Sequence, residues 1–117
     1  MQRHFAGIAA HDLEEILATL APQRARLYSD HRTVDRRRLT VNSAKLLSVQ
    51  AVDDPVPVPA YTAQYAETAV LKVDYDLNLV EPEQRRDPTL REGRQWSYYI
   101  VVCAGPGQPW LIVDWGV

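Results

Sequence analysis

The sequence predicts an α+β fold in which N-terminal helices pack on a mainly antiparallel sheet of four strands. Apolar residues recur at helical spacing in the first quarter of the chain, and later stretches alternate in the manner of strands. The connections between those stretches are rich in turn residues, which suits antiparallel neighbours. Helices followed by a run of strands indicate that the helices cover one face of a sheet. At 117 residues and 46% apolar composition, residues 1–117 are predicted to form a single domain.

Two sets of apolar residues carry the helix prediction. Asp12 separates the sets and, with Glu15 three residues later, fits a capping box. We therefore predict a short helix to about Ala10 and a second from Asp12 to Leu20, with Pro22 opening another helical turn. The two sets are Phe5, Ile8 and Ala9, and Leu13, Ile16, Leu17 and Leu20.

Residues 43–54 are the predicted first strand. Strand alternation places Leu47, Val49 and Ala51 on one face. The following residues, 53–60, contain three prolines and cannot pair as a central strand.

Residues 65–80 are predicted as the second strand. Apolar residues at odd positions from 71 to 79 alternate with polar residues at even positions, so one face belongs to the core and the other to water. The charged residues 81–92, with Pro82 and Pro88, are predicted to form a long exposed connection.

The C-terminal hairpin is apolar on both faces. A sheet with one solvated face would carry polar residues at alternate positions. We expect helices of the same chain to cover one face, and a second sheet, a second subunit or a bound ligand to cover the other. The first arm alternates Trp96, Tyr98, Ile100 and Val102 with Ser97, Tyr99, Val101 and Cys103; the second alternates Trp110, Ile112 and Asp114 with Leu111, Val113 and Trp115.

Charge does not favour a nucleic-acid partner. The net charge of the whole chain is −2. Residues 23–42 contain six arginines and two aspartates, so that segment alone has a charge of +4. A phosphate-binding patch is one interpretation, but aromatic residues do not alternate with the arginines, so we favour a solvated helix and loop. His4 and His11 are seven residues apart rather than three or four, so we expect no metal and no cofactor.

The sequence does not determine the cellular compartment of the protein. Cys103 lies within a strand pattern, which favours a packed, unreactive thiol. No apolar run approaches the ~18 residues of a membrane span, and no signal peptide is present. Because a helix begins almost at residue 1, one interpretation is that a signal or anchor preceded it; the domain would be extracytoplasmic only in that case, so localisation stays open.

Two motifs resemble the nuclear-transport-factor-2-like superfamily and, within it, small bacterial lipoprotein-like domains of unknown function. The resemblance implies a cystatin-like fold, with a curved sheet wrapped around the helices as a cone, and dimerisation through the outer face of the sheet. The proline-rich residues 53–64 leave no room for the extra helix and strand of fuller members, so we expect a shallow or open cone. The motifs are Phe5-x-x-Ile8-x-x-His11-Asp12-Leu13-x-x-Ile16-Leu17, and Trp96-x-Tyr98-Tyr99 with Pro109-Trp110-Leu111-Ile112-x-Asp114-Trp115-Gly116.

The resemblance implies one candidate chemistry, that of ketosteroid-isomerase-like enzymes. A desolvated carboxylate acts there as acid and base beside a tyrosine donor. Asp114 is the candidate carboxylate, Tyr98 and Tyr75 are candidate donors, and Trp96 would line the same cone. The alternative is that Asp114 is solvated or bonded to a loop and that the tyrosines belong to the core.

The favoured hypothesis is a non-catalytic binding or protein-interaction module that forms a homodimer through its sheet. A small apolar ligand in the cone, with or without catalysis, is the alternative. The predicted interface residues are Tyr99, Val101, Leu111, Val113 and Trp115.

Overall fold

The predicted fold class is confirmed. The computed structural model describes residues 1–28, 40–53, 58, 60–85 and 90–115. Across these ranges the helices α1 (Gln2–Ala9), α2 (Leu13–Ala18) and α3 (Pro22–Tyr28) precede the strands β1 (Val41–Val52), β2 (Glu67–Leu79), β3 (Gly93–Cys103) and β4 (Trp110–Trp115). The strands form one open antiparallel sheet in the order β1-β2-β3-β4.

The junction between α1 and α2 is a tight turn with a defined cap at each helix. His11 has a positive φ of 55° and lets the chain reverse, and its Nε2 donates to the Val41 carbonyl oxygen at 2.6 Å. The Asp12 side chain accepts from the Glu15 backbone N–H at 3.2 Å, which confirms the predicted N-cap. The reciprocal half of the capping box does not form, because the Glu15 carboxylate bonds to Arg3 and the Asp12 N–H donates to the Gly7 carbonyl oxygen. Gly7 lets the helices approach closely, because a Cβ there would lie 3.1 Å from the Ile16 Cγ1.

One side of the sheet, here called the helix face, carries α1 and α2. Phe5 is buried with its ring 5.2 Å from that of Tyr75 and 6.2 Å from that of Tyr99. These aromatic contacts and the aliphatic core around them exclude water from the centre of the sheet. The buried residues of this cluster are Phe5, Ile16, Leu20, Val73, Tyr99, Val101 and Ile112.

The other side, here called the far face, has its own apolar cluster. Ala21, directly before α3, is fully buried in it, and the Tyr65 hydroxyl donates to the Gln23 Oε1 at 3.1 Å. Segments of the same chain therefore contribute to covering both faces of the hairpin. The buried residues of the far-face cluster are Ala21, Val70, Ile100, Val102 and Val113.

The chain passes from the helix face to the far face across the edge of β4. The Ile112 N–H donates to the Thr19 carbonyl oxygen at 2.9 Å, and the Ala21 N–H donates to the Ile112 carbonyl oxygen at 2.8 Å. Leu20 thereby forms a parallel bridge with Ile112. These bonds satisfy edge groups of β4 that would otherwise be open to another strand.

Two bulges overturn part of the predicted alternation. In β4 the register shifts so that Val101 lies opposite Ile112 while Ile100 lies opposite Asp114. Val113 is the extra residue, so the prediction that Asp114 shares a face with Trp110 and Ile112 is wrong. A bulge reverses the facing of every later residue in a strand.

A second bulge lies in β1, between Leu46 and Ser48. Leu46 lies opposite Tyr75 and Val49 opposite Val73, so Leu46 and Val49 share the helix face. Leu47 is the extra residue, so the simple alternation that placed it with Val49 is interrupted.

The prediction for β2 is confirmed. Val73, Leu77 and Leu79 are buried, and Asp76 and Asn78 are exposed. The connection before β3 includes a short 3₁₀ helix, Pro82–Gln84. Arg32, Arg36, Arg37 and Arg38, most of the proline-rich stretch and residues 86–89 lie outside the described residues.

A polar pair, with His4 buried and Thr19 partly buried, holds α1 against α2. The Thr19 hydroxyl donates to the Ile16 carbonyl oxygen at 2.6 Å, so its oxygen accepts from the His4 Nδ1 at 2.9 Å. His4 is 2% exposed, and its ring lies 6.1 Å from that of Tyr99 and 5.9 Å from that of Trp115. Within this aromatic pocket the imidazole N–H needs its acceptor.

We expect Thr19→Val to lower the free energy of unfolding by about 1–3 kcal/mol, because the isosteric side chain leaves the His4 Nδ1 without this acceptor. Urea denaturation measures the change. The matched control is Thr68→Val, at an exposed position in β2, which we expect to change stability by less than about 0.5 kcal/mol. Equal stability of the two variants would show that the His4–Thr19 bond is unimportant.

Candidate functional site

The candidate site is a groove on the helix face, between the start of α1, the end of α2 and the sheet. Its volume is about 370 Å³, and most of its lining is apolar. Its floor is formed by β2 and β3, and the entry to β4 forms one wall. The lining residues are Met1, Arg3, Ala18, Thr19, Ala69, Leu71, Val101, Pro109, Trp110, Leu111 and Ile112.

The helices are much shorter than the strands they pack on, so they leave part of the helix face uncovered. The 8 residues of α1 extend about 12 Å, and the 6 residues of α2 about 9 Å. β2 has 13 residues and extends about 44 Å. Since α2 ends at Ala18, Ala69 and Leu71 remain only partly buried on the sheet beyond it.

Trp110 forms the exposed wall of the groove. It is 47% exposed and lies opposite Cys103, at the start of β4. Val49, 42% exposed, lies on the same face of β1, where it pairs with Val73. The apolar surface therefore continues from the groove toward the edge of the sheet.

Two polar side chains line the groove, and each has a partner. The Thr19 hydroxyl bonds to His4 and Ile16 as described above. Arg3 lies at the rim, with its Nε 2.7 Å from the Glu15 Oε2 and its Nη2 3.2 Å from the Glu15 Oε1. This hydrogen bond, with the charge of Arg3, holds the pKa of the Glu15 carboxyl below its usual range.

Trp96 and Tyr98 do not reach the groove. Both lie in β3 at positions that alternate with Tyr99 and Val101, and so they face the far side. The Trp96 ring is 52% exposed, 5.2 Å from the Tyr98 ring and 5.0 Å from the Lys72 Nζ. These contacts form a separate cation–π and aromatic cluster.

Tyr75 and Asp114 are also separated from one another. Tyr75 packs on Phe5 in the helix face, and its hydroxyl lies 3.0 Å from the Ser97 Oγ. Asp114 accepts from the Trp115 backbone N–H at 2.9 Å and lies 3.7 Å from the Arg24 Nη1. The four predicted ligand-binding residues therefore do not line one cone.

Asp114 belongs to a small charged cluster at the end of β4. The Arg24 guanidinium lies 4.0 Å from the centre of the Trp115 ring, so it contacts both an acid and an aromatic face. Burial, and then the charge of Asp114, raise the pKa of the Tyr61 hydroxyl. These contacts place Asp114 in an ion pair with Arg24 of α3, an arrangement that the sequence analysis did not consider.

The five predicted interface residues do not form one surface. Tyr99, Val101 and Trp115 pack on the helix face, whereas Leu111 and Val113 pack on the far face. Tyr99, Val101 and Val113 are each no more than 5% exposed because the chain itself covers them. The hairpin register, with Val101 opposite Ile112 rather than Leu111 or Val113, separates the two groups.

The histidines and other metal-binding side chains do not converge in the described part of the chain. His4 bonds to Thr19 and His11 to the Val41 carbonyl, and no group of three or more His, Cys, Asp or Glu residues there has the geometry of a metal site. Within the same ranges, every helix is too short or too polar to span a membrane.

Sequence reasoning missed Arg3, Ala69, Leu71 and Trp110 as groove residues. Alternation shows which face of a strand a residue occupies, but not where along that face the helices stop. The one available signal in the sequence was that the predicted helices are shorter than the predicted second strand.

Comparison with known proteins gives no match: no protein-family model, no curated protein and no solved structure matches the chain. The site must therefore be interpreted from its own geometry.

We expect Cys103 to react slowly with a thiol reagent in the native chain. The side chain is 3% exposed, and its Sγ lies 3.0 Å from the Gly105 carbonyl oxygen and 3.4 Å from that of Gln108. Burial shields the thiol from the reagent. Ellman's reagent with and without urea measures the difference; equal rates would contradict the buried position.

Proposed function

We propose that this chain is a non-catalytic binding domain that takes an apolar ligand in the groove on the helix face. The main support for this proposal is the open groove of about 370 Å³, which has a mostly apolar lining and a half-exposed tryptophan as one wall. Its volume lies at the lower end of the range typical of small-molecule sites.

The position of Trp110 supports this proposal. A tryptophan that leaves about half of its surface in water forgoes burial energy that a ligand would supply. Leu71 and Ala69 beneath it are also incompletely buried, so a ligand would cover several apolar groups at once. The flanking Pro109 and the pairing with Cys103 limit how far the start of β4 can move.

Acid–base catalysis is not part of the proposal. It would require Asp114, Tyr98 and Tyr75 to converge on one substrate, and their side chains are divided between the two faces of the sheet. Asp114 is engaged by Arg24 instead.

A neutral fluorescent probe, N-phenyl-1-naphthylamine, tests the groove. We expect it to bind with enhanced emission, and Trp110→Ala to weaken binding about five-fold or more through loss of an aromatic wall. Trp96→Ala is the matched control, since this tryptophan is similarly exposed but lies on the far face. The affinity of this variant for the probe should equal that of the wild type.

Absence of probe binding to the wild-type chain would refute the proposed function. Equal weakening by the two tryptophan variants would place the ligand elsewhere. Circular dichroism confirms that each variant keeps its fold.

A homodimer is a second candidate, favoured by the free edge of the sheet rather than by its faces. Within the described ranges β1 pairs with β2 alone, and Leu47 and Val49 are 38% and 42% exposed. Lys45 is the single charged residue in β1. A long edge strand with little charge and exposed apolar residues is prone to pair with a second copy.

We expect the wild-type chain to sediment with the mass of a dimer at sub-millimolar concentration. Val49→Lys should convert the dimer to a monomer, because pairing of two β1 strands would bury two added charges. Analytical ultracentrifugation measures the mass. Val58→Lys is the control, at another exposed apolar position outside β1. A monomeric wild-type chain would exclude this assembly while leaving the groove proposal intact.

A further inference from the structure

We infer that the ligand of the groove is an amphipathic anion, with its apolar body between Leu71, Val101 and Trp110 and its anionic head at Arg3. This inference rests on the proposed function and names the ligand class. Three features at one rim of the groove support it: the charge of Arg3, the hydrogen bonds that Arg3 makes, and the start of α1.

Arg3 gives the groove a polarity along its length. Of the described residues that line the groove, Arg3 is the one with a charged side chain, and most of the remaining lining is apolar. A wholly apolar ligand would leave the guanidinium unused, and a cationic ligand would be repelled by it. A carboxylate on an apolar chain matches both parts of the groove.

The pair between Arg3 and Glu15 does not block this role. Their side chains are 59% and 44% exposed, and a solvent-exposed ion pair contributes little to stability. Arg3 uses Nε and Nη2 toward Glu15, and its Nη1 makes no bond with a described residue. A ligand carboxylate can therefore share the guanidinium with Glu15 or replace it at small cost.

The start of α1 adds positive potential at the same rim. α1 has no side-chain N-cap hydrogen bond and no acidic residue in its first turn. The amino-terminal end of a helix carries a partial positive charge, which favours an anion nearby. Met1 and Arg3 both line the groove, so this end of α1 borders the proposed head-group position.

Displacement of N-phenyl-1-naphthylamine by decanoate, decanol and decylamine tests the ligand class. The three compounds share one alkyl chain and differ in the charge of the head, and each is used below its micelle concentration. We expect decanoate to displace the probe at a concentration at least about three-fold lower than that needed for decanol. The difference comes from one charge-assisted hydrogen bond between the carboxylate and Arg3, partly offset by the cost of desolvating the carboxylate. Decylamine should be the weakest.

Arg3 variants connect the preference to the residue. Arg3→Gln should remove the advantage of decanoate over decanol. Arg3→Lys should retain part of the advantage, and Glu15→Gln should increase it by releasing the guanidinium. Arg3 and Glu15 are both exposed, so these variants are expected to fold normally.

The outcomes separate the two levels of the proposal. Equal displacement by decanoate and decanol, or a preference that survives Arg3→Gln, would overturn the amphipathic anion and leave apolar binding in place. Failure of the probe itself to bind would overturn the proposed function.

Discussion

The structure depends on two backbone hydrogen bonds between the end of the helical region and β4. Thr19 and Ala21 bond on either side of Ile112 and carry the chain across the edge of the sheet. Residues before this crossing pack on the helix face, and Ala21 packs on the far face. Because the hairpin lies between these segments, its buried residues can be apolar on both sides, although Trp96 and Trp110 remain about half exposed.

The same arrangement explains the groove. The crossing fixes where α2 must end, and the strands beneath it continue beyond that point. The His4–Thr19 bond and the contact of Gly7 with Ile16 hold the two helices together as one short cover. A cover of fixed length on a longer sheet leaves an apolar surface at one end, where Trp110 and Arg3 supply an aromatic wall and a charge.

Interpretation of the sequence failed where a single residue changes the facing of a strand. Alternation predicted the apolar character of β4 correctly, but the bulge at Val113 moved Asp114 away from Ile112 and brought Trp115 onto the helix face. The bulge at Leu47 had the same effect in β1. Neither position has a glycine or proline to mark it, so the pattern of residue types could not reveal the shift.

The sequence by itself determined the fold class, the order of helices and strands, the Asp12 cap and the two-sided apolar hairpin. These features depend on local periodicity and on residues close together in the chain. The tertiary structure alone decided which faces the hairpin residues occupy, the pairing of Arg24 with Asp114, and the location of the groove. Those depend on strand register and on where the helices end over the sheet, which contacts between distant segments determine.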